Sequence, residues 1–235
     1  MVLDIGCGTG ATTRVFAPRV APGGTICAVD ISSPLIAHAE SQAGDAAANT
    51  RYHLAEAQAD QIPGAPFDLV ISRFGSMFFG DPTAAFDNIR RHMRPNARLV
   101  LSAWAPAKMN PWFQVPKEGA TERLGPLKQS DPNAPGPLAF QNVDRVVGLL
   151  TDAGFQDVVG ETIGVHFTHP GPKERVAALA SNIGPAARIL KKYNGTAQDI
   201  DAITRYTVEG FRDYQDETGI RVPASLNFFS ARNPG

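Results

Sequence analysis

The sequence predicts an α/β protein with a doubly wound sheet, and three observations lead to this prediction. Apolar runs typical of strands alternate with helical patterns along most of the 235 residues. The first run ends in three glycines spaced two apart, and a helical pattern begins directly after them. The segment 220–228 alternates apolar with polar residues, as a strand with one buried face does. We therefore expect one domain, 1–235, with a mostly parallel sheet and an antiparallel last strand.

The first half of the chain predicts three strands and two helices in alternation. The expected strands lie at 2–5, 25–29 and 51–54. A helix at 11–20 lies between the glycines and a Pro-Gly-Gly turn, and Val15 and Phe16 should face the core. An alanine-rich helix at 35–48 follows Ser-Ser-Pro, which is a favourable N-cap and first turn, and Gly44 should end or loosen this helix.

The middle of the chain predicts two further strands and a proline-rich insertion. A strand at 67–72 leads to a helix that an Asp-Pro pair at 81–82 begins, and a strand at 98–104 follows. Seven prolines interrupt the segment 105–140, so we expect a lid insertion above the sheet there. Within it, 111–124 should be the best-formed helix.

The last part predicts a helix, a strand and a helical insertion before the final strand. An amphipathic helix at 142–153 precedes a sixth strand at 156–167. A helical insertion at 170–217 separates strands six and seven, and Gly184 interrupts it. A Thr-x-x-Asp pattern resembling a capping box begins its last helix, 196–217.

Composition and charge are ordinary for a globular protein. Hydrophobic residues make up 43% of the chain, charged residues make up 19%, and the net charge is −1. Such a charge provides no global field that recruits nucleic acid or an anionic membrane, so we expect neither as a partner. Two cysteines without a CxxC motif or a histidine cluster predict neither a disulfide framework nor a metal site. Because no apolar stretch approaches the ~18 residues of a membrane span and no secretory signal is present, we expect a cytoplasmic protein. We expect it to be a monomer or a homodimer.

The opening ten residues, MVLDIGCGTG, carry the main functional signal. A strand that breaks into glycines before a helix brings bare backbone against a ligand, which suits a nucleoside-containing cofactor at the carboxyl edge of a parallel sheet. The spacing alone leaves the cofactor open, because Gly6, Gly8 and Ala11 also fit the dinucleotide fingerprint. Asp30 follows about where the ribose ligand of such a site would lie. Asp4 inside the strand favours instead a cationic or amino-bearing ligand, which a carboxylate orients directly or through water.

Three segments closely resemble the S-adenosylmethionine-dependent methyltransferases of class I, the seven-stranded Rossmann-like kind of type 11/25. They are LDIGCGTG at 3–10, VDIS at 29–32 and SRFGSMFF at 72–79. The resemblance implies S-adenosylmethionine as the cofactor, S-adenosylhomocysteine as the product, and the strand order 3-2-1-4-5-7-6 over nearly the whole chain. The resembling enzymes carry one or two helices before the first strand that help to cover the cofactor. We expect that this chain lacks them through truncation or a mis-started reading frame, with cover supplied by another segment as the alternative.

The resemblance also implies how the cofactor is bound. Asp30 would accept two hydrogen bonds from the ribose diol. Glu56 would contact the adenine amino group and the N–H of Ala57 a ring nitrogen, with Asp60 as a competing candidate for the acidic role. The expected cofactor-binding residues are Asp4, Gly6, Cys7, Gly8, Thr9, Gly10, Asp30, Ile31, Glu56, Ala57, Ser72, Arg73 and Phe74.

Four residues are expected to contact the substrate. Met77 and Phe78 lie in a segment that forms a floor shared by cofactor and substrate in the resembling enzymes, with plain core packing as the alternative. Trp104 ends the fifth strand, and Trp112 lies where a lid would meet the substrate. Packing within the lid is the alternative for Trp112.

The expected reaction is methyl transfer to a small, partly apolar acceptor, through an oxygen, nitrogen or carbon nucleophile, under the lid. A general base is needed only when the nucleophile enters protonated, and no residue is a certain base. His166 and His169 are weak candidates, because they would emerge at the carboxyl end of a parallel sixth strand. Two alternatives stay open: an S-adenosylmethionine-binding protein without methyl transfer, and an NAD(P)-dependent oxidoreductase.

Overall fold

The computed structural model describes residues 1–127 and 131–235. Positions 128–130, which fall within the predicted insertion 105–140, lie outside the described residues. The strands in the described ranges are β1 (Val2–Ile5), β2 (Ile26–Asp30), β3 (Thr50–Leu54), β4 (Phe67–Arg73), β5 (Met93–Trp104), β6 (Gln156–His169), β7 (Gln215–Asp216) and β8 (Gly219–Arg232). The α-helices are α1 (Ala11–Val20), α2 (Ser33–Ser41), α3 (Pro82–Arg91), α4 (Pro111–Leu124), α5 (Val143–Asp152), α6 (Lys173–Ser181), α7 (Gly184–Lys192) and α8 (Ala197–Gly210).

The sheet has the order β3-β2-β1-β4-β5-β8-β6, and the two-residue β7 pairs with β8. Along the part of the sheet ordered β3-β2-β1-β4-β5, each pair of adjacent strands is parallel. Strand β8 is antiparallel to β5, since the Asn96 N–H donates to the Asn233 carbonyl oxygen over 2.8 Å and the Asn233 N–H donates to that of Ala97 over 2.9 Å. The predicted doubly wound, mostly parallel sheet is therefore confirmed, and the predicted seventh strand is β8.

One predicted helix ends earlier than expected, a second is interrupted as expected, and a glycine lies near each break. Helix α8 ends at Gly210, and the chain then turns through the fully buried Phe211 into β7, which the sequence analysis missed. The helix expected at 35–48 is divided into α2 and a short 3₁₀ helix, Gly44–Ala48. The φ angle of Gly44 is 52°, and this left-handed conformation is incompatible with a continuous α-helix.

The described residues form two compact units. Unit 1 comprises Met1–Ala103, Pro135–Glu161 and Asn227–Gly235, and unit 2 comprises Trp104–Ala134 and Thr162–Leu226. The expected division into one domain with a lid insertion and a helical insertion stays a prediction. Within the ranges that the structure describes, no helix is long and apolar enough to cross a membrane.

Unit 1 has a core of aliphatic and aromatic side chains. Its largest fully buried side chains include Leu3, Ile5, Phe67, Phe86, Phe140 and Phe229. The rings of Phe86 on α3 and Phe140 pack with centroids 5.9 Å apart. Helix α3 begins as predicted, because the Asp81 carboxylate accepts a hydrogen bond from the Ala84 N–H over 3.1 Å.

Helix α1 packs Phe16 against the core as predicted, but Val15 does not face the core. It buries Thr13 and Ala17, whereas Val15 is 53% exposed, so the prediction that Val15 faces inward was wrong. Thr13 is tolerated on the buried face because its hydroxyl donates a hydrogen bond to Asp4 on β1. A polar side chain of α1 is thereby brought against the strand that precedes the glycine loop.

Unit 2 contains four helices among its described residues, α4, α6, α7 and α8. The predicted capping box of α8 is confirmed, since Asp199 accepts from the Thr196 N–H over 2.9 Å while the Asp199 N–H donates to the Thr196 hydroxyl over 3.3 Å. Arg123 on α4 donates to the same carboxylate over 2.7 Å. The hydrogen bonds from Thr196, together with that from Arg123, lower the pKa of Asp199 to about 2.

Candidate functional site

The loop between β1 and α1 holds three glycines in the left-handed region. The φ angles of Gly6, Gly8 and Gly10 are 64°, 55° and 74°, values that residues with a Cβ rarely adopt. Gly6 also lies against the loop that follows β4, because a Cβ added to Gly6 would be 2.6 Å from the Gly75 Cα. The two loops therefore meet backbone to backbone.

Asp30 is the last residue of β2, and two backbone N–H groups hold its carboxylate. The Gly8 N–H donates to Oδ2 and the Ser32 N–H donates to Oδ1, each over 2.9 Å. Because a carboxylate oxygen can accept two hydrogen bonds, each Asp30 oxygen keeps capacity for a ligand donor. The carboxylate is thus oriented by the glycine loop at the tip of the strand.

Asp4 on β1 is a buried carboxyl group with a single side-chain hydrogen bond. It is 1% exposed, and its Oδ2 accepts from the Thr13 hydroxyl over 2.6 Å. Burial raises the pKa of Asp4 to about 6, the Thr13 hydrogen bond and the Arg73 charge oppose this rise, and the Asp30 charge adds to it. Asp4 is therefore close to a protonation change near neutral pH, which makes it a candidate for a functional role.

Arg73 is the last residue of β4, and its side chain spans to the first turn of α1. Its Nε donates to the Thr12 hydroxyl over 2.7 Å, and its guanidinium carbon lies 5.5 Å from the centroid of the Phe74 ring. Phe74 has a φ of 66°, in the left-handed region that side-chain-bearing residues rarely enter. Such backbone strain concentrates at binding sites, where the surrounding structure holds it.

Glu56 and Asp60, the two competing acidic residues after β3, differ in their contacts. The Asp60 carboxylate accepts a hydrogen bond from the Glu56 N–H over 2.7 Å and so stabilises the turn between them. The side chain of Glu56 is exposed. Ala57, beside it, is buried, and its carbonyl oxygen accepts from the Asn88 amide over 3.0 Å.

A cavity of about 380 Å³ lies in unit 1 at the carboxyl ends of the first strands. Its lining residues are Ile5, Gly6, Val29, Asp30, Ile31, Ser32, Leu35, Ala55, Glu56, Ala57, Gln58, Arg73, Phe74, Gly75, Phe78, Phe79 and Gly80. The volume is within the usual range for small-ligand pockets, roughly 300–1,000 Å³. Asp60 is not among the lining residues, whereas Glu56 is.

The structure brings together at this cavity many of the residues that the sequence analysis selected. The predicted residues that line it are Gly6, Asp30, Ile31, Glu56, Ala57, Arg73, Phe74 and Phe78. The sequence analysis did not select Leu35, Gln58, Thr12 or Thr13. The two threonines directly follow the glycine loop, and this position was the signal available for them.

Other predicted residues of unit 1 are not among the lining residues. They are Asp4, Cys7, Gly8, Thr9, Gly10, Ser72 and Met77. The Ser72 hydroxyl donates to the Ile5 carbonyl oxygen over 2.9 Å and accepts from the Ser76 N–H over 3.1 Å, so it ties β4 to β1. Met77 is 1% exposed, which agrees with the alternative of core packing. Burial raises the pKa of the Cys7 thiol, which keeps it protonated and unreactive.

The predicted substrate tryptophans and the two histidines lie in unit 2. The Trp104 ring packs against the Phe113 and Phe167 rings, with centroids 4.6 Å and 5.0 Å away. Trp112 stacks at 6.5 Å from the ring of Phe211, which agrees with packing inside this unit. His166 is exposed, and His169 Nδ1 accepts from the Gly171 N–H over 2.8 Å.

The side chains of the described ranges include no group of three or more His, Cys, Asp or Glu residues placed to hold a metal ion. The cavity presents two carboxylates, one arginine and apolar walls among its described lining residues. Carboxylates at the strand tips suit donors such as a ribose diol, an exocyclic amine or an ammonium group. The apolar walls suit a flat ring.

Comparison with known proteins bears on which family has this arrangement. Residues 2–96 match a family model described as a methyltransferase domain. Over 154 residues the chain is 31% identical to nocamycin O-methyltransferase from Saccharothrix syringae. The aligned region covers 63% of this chain and 51% of that protein. The chain thus spans about half the length of this curated relative.

Two solved structures share the fold. YcgJ protein from Bacillus subtilis has a TM-score of 0.60 and 16% identity, with 100% of this chain and 92% of that chain covered. Phosphoethanolamine N-methyltransferase 2 from Haemonchus contortus, in complex with phosphomonomethylethanolamine and S-adenosylhomocysteine, has a TM-score of 0.56 and 19% identity, with 100% and 48% covered. The resemblance that the sequence predicted is confirmed: residues 2–96 match a methyltransferase domain, and the chain shares its fold with these two solved structures.

Proposed function

We propose that this chain binds S-adenosylmethionine in the cavity of unit 1 and transfers its methyl group to a small, partly apolar acceptor. The observation that carries the proposal is the pair of carboxylates on either side of the glycine loop. Asp4 is buried in β1 and Asp30 is fixed at the tip of β2. When bound, S-adenosylmethionine supplies a methyl group that its sulfonium already activates, so the protein's main task is to position the acceptor.

The residues at the cavity fit the nucleoside end of this cofactor. Asp30 would accept hydrogen bonds from the ribose diol with the lone pairs that Gly8 and Ser32 leave available. Glu56, which lines the cavity, would accept from the adenine amino group, and Ile31 would cover the ring. Ile31 is 73% exposed, a high value for isoleucine that a bound aromatic ring would reduce.

The methionine end would lie between β1 and β4. Asp4 is the acidic group for its ammonium, directly or through water, and Thr13 orients that carboxylate. Gly8 would let the backbone approach this part of the ligand, because a Cβ added there has nothing within 4 Å, whereas a Cβ at Gly6 or Gly10 would meet Gly75 or the Tyr52 hydroxyl.

An apolar rim supports a small, partly apolar acceptor rather than a nucleic acid or a protein. Phe78 lines the cavity and is 55% exposed, which marks it as a contact for a ligand instead of core packing. We also propose that the segment 105–140 forms a lid, that 170–217 is an insertion, and that Trp112 contributes to acceptor binding. No general base is assigned. A base is needed only for an acceptor that enters protonated, and His166 and His169 are the weak candidates for it.

Two measurements test this function. Isothermal titration calorimetry should detect binding of S-adenosylmethionine and S-adenosylhomocysteine, while NADH and NADPH should give no heat of binding. Transfer of a radiolabelled methyl group to a panel of phenols, carboxylic acids and amines should then label at least one small acceptor. Heat from the nicotinamide cofactors alone would favour the oxidoreductase, and cofactor binding without labelling of any acceptor would favour a binding protein. Labelling of protein or RNA alone would refute the small-acceptor proposal.

A further inference from the structure

The loop between β3 and β4 forms part of the cavity wall without secondary structure of its own. Ala55, Glu56, Ala57 and Gln58 line the cavity, and the described residues 55–66 contain neither a helix nor a strand. A loop that carries a binding surface needs other elements to hold its backbone in place. The Ala57 N–H makes this requirement specific, because Ala57 is 5% exposed and its N–H donates to none of the described residues. A buried N–H of this kind beside a cavity indicates an acceptor on a ligand.

Asn88 on α3 is the side chain that holds this loop at two points. It is 7% exposed, and its Nδ2 donates to the Ala57 carbonyl oxygen over 3.0 Å and to the Asp60 carbonyl oxygen over 3.1 Å. Both partners can only accept, so the amide nitrogen must face them, and both of its N–H donors are used. These buried hydrogen bonds fix the backbone at both ends of the turn 57–60.

His92, at the C-cap of α3, holds the same loop at a third point. It is 6% exposed, and its Nε2 accepts from the Ile62 N–H over 3.1 Å. Its Nδ1 lies 2.8 Å from the Asn88 carbonyl oxygen, so Nδ1 carries the proton in this arrangement. Neither Asn88 nor His92 lines the cavity, and any effect of these two residues on a ligand must therefore act through the loop.

The chemistry of the base makes the position of the loop important. Adenine presents an amino donor beside a ring nitrogen that accepts, whereas hypoxanthine, its deaminated form, presents a carbonyl oxygen beside a ring N–H. The Glu56 carboxylate and the Ala57 N–H match the pattern of adenine and oppose that of hypoxanthine, provided that both are held at the spacing of adjacent ring positions. A site with fixed polar groups rejects a mismatched ligand, because that ligand leaves those groups unpaired.

We therefore infer that Asn88 is a positioning residue that sets the base specificity of the cavity, with support from His92. It acts by fixing two carbonyl oxygens of the loop, and thereby the Glu56 carboxylate and the Ala57 N–H that would meet the base. The inference rests on the proposed function and extends it from cofactor binding to discrimination between adenine and hypoxanthine nucleosides.

The test compares S-adenosylhomocysteine with S-inosylhomocysteine, in which the base is hypoxanthine, by calorimetry. The unmodified protein should bind S-adenosylhomocysteine about tenfold to hundredfold more tightly, as expected when the other ligand leaves buried polar groups unpaired. Asn88→Leu keeps a side chain of similar size without its donors. It should lower this ratio about fivefold or more through weaker binding of S-adenosylhomocysteine, while the dissociation constant of S-inosylhomocysteine changes less than about twofold. Asn88→Gln keeps the donors on a longer side chain and should retain part of the ratio.

Asn227→Leu is the matched control, because Asn227 makes the same kind of contact elsewhere in unit 1. Asn227 is 0% exposed, and its Nδ2 donates to the carbonyl oxygens of Phe140 and Gln141 over 3.0 Å and 3.1 Å. None of these three residues lines the cavity, so the substitution should lower stability in urea, as Asn88→Leu does, and leave the ratio of affinities unchanged. His92→Phe keeps a ring without the acceptor for the Ile62 N–H and should lower the ratio in the same direction. It decides the question by the same criterion if Asn88→Leu does not fold.

The outcomes separate this inference from the proposed function. An unchanged ratio in Asn88→Leu, or an equal fall of the ratio in Asn227→Leu, would overturn the role of Asn88 while the proposed cofactor stands. Equal affinity of the unmodified protein for both ligands would have the same consequence. If the unmodified protein binds neither ligand, the proposed function fails and this inference fails with it.

Discussion

Replacing Asp4 by Asn should change the unfolding free energy in a pH-dependent way. Relative to the wild type, the variant should become more stable as the pH rises from acid to neutral, although Asp4 belongs to the proposed cofactor site. The carboxyl of Asp4 is 1% exposed, and burial raises its pKa from 3.8 to about 6. Between these two pH values the folded protein binds more protons at this position than the unfolded chain. The stability that the protonated Asp4 contributes is therefore fully present only below the lower pH value, and it is lost as the pH rises through this window.

The magnitude follows from the size of the pKa rise. A rise from 3.8 to about 6 corresponds to a loss of about 3 kcal/mol of unfolding free energy between acid and neutral pH, at about 1.4 kcal/mol for each pH unit. Asn cannot ionise, and its oxygen can still accept the Thr13 hydrogen bond. Its amide nitrogen adds a cost that does not depend on pH, so the informative quantity is how the difference between variant and wild type changes with pH.

The assay is urea denaturation of both proteins from pH 3.5 to pH 7.5, with Asp45→Asn as the control. Asp45 is exposed, so its replacement makes the same chemical change at a solvated position. The Asp4→Asn difference should rise by about 3 kcal/mol in favour of the variant over this range, and the variant should bind S-adenosylmethionine more weakly. A flat difference for Asp4→Asn would refute the argument that the buried carboxyl is costly in its ionised form.

Three further pairs of substitutions test other parts of the structure by chemical denaturation. Gly75→Ala should cost about 1–3 kcal/mol, because the added Cβ would lie 2.6 Å from a backbone oxygen of β1. Gly148→Ala in α5 should be neutral or stabilising, because the added Cβ would have nothing within 4 Å. Equal effects of the two substitutions would contradict this packing. Met77→Ala should cost about 2–5 kcal/mol, since this side chain is 1% exposed, and Phe78→Ala, 55% exposed in the wild type, should cost under about 1 kcal/mol yet weaken cofactor or acceptor binding. A larger stability loss for Phe78→Ala would count against the placement of both. Thr196→Ala removes the capping box of α8 and should cost about 1 kcal/mol, while Thr196→Ser should retain most of the stability; two equal losses would argue against the cap.

The strand pattern was predictable because each strand combines a strong local signal with clear boundaries. The run before the first glycines, the run ending at Asp30 and the alternating segment 220–228 each became a strand at the expected place. Helix ends were harder to predict where a glycine lies inside a helical pattern. The interruption at Gly44 was expected, but at Gly210 the sequence alone does not show whether packing compensates for the low helix propensity of glycine.

Part of the candidate site was predictable for the same reason. Asp30 and Arg73 are the last residues of their strands, and Glu56 follows β3 by two residues. Because the carboxyl ends of parallel strands lie at one edge of the sheet, their common location at the cavity followed from the strand assignment. Thr13 could not be found in this way. Its role depends on which face of α1 is buried, and the apolar residue Val15 suggested a different face.

The direct contact between Gly6 and Gly75 determines where this cavity can be redesigned. A side chain at either position would collide with the backbone of the opposite loop, so the floor of the cavity cannot be varied without separating β1 from β4. Ile31, Leu35 and Phe78 are 73%, 38% and 55% exposed, and changes in their size have room to be accommodated. Altered ligand preference, in natural variants or in directed evolution, should therefore accumulate at these three positions while the glycine pair stays constant.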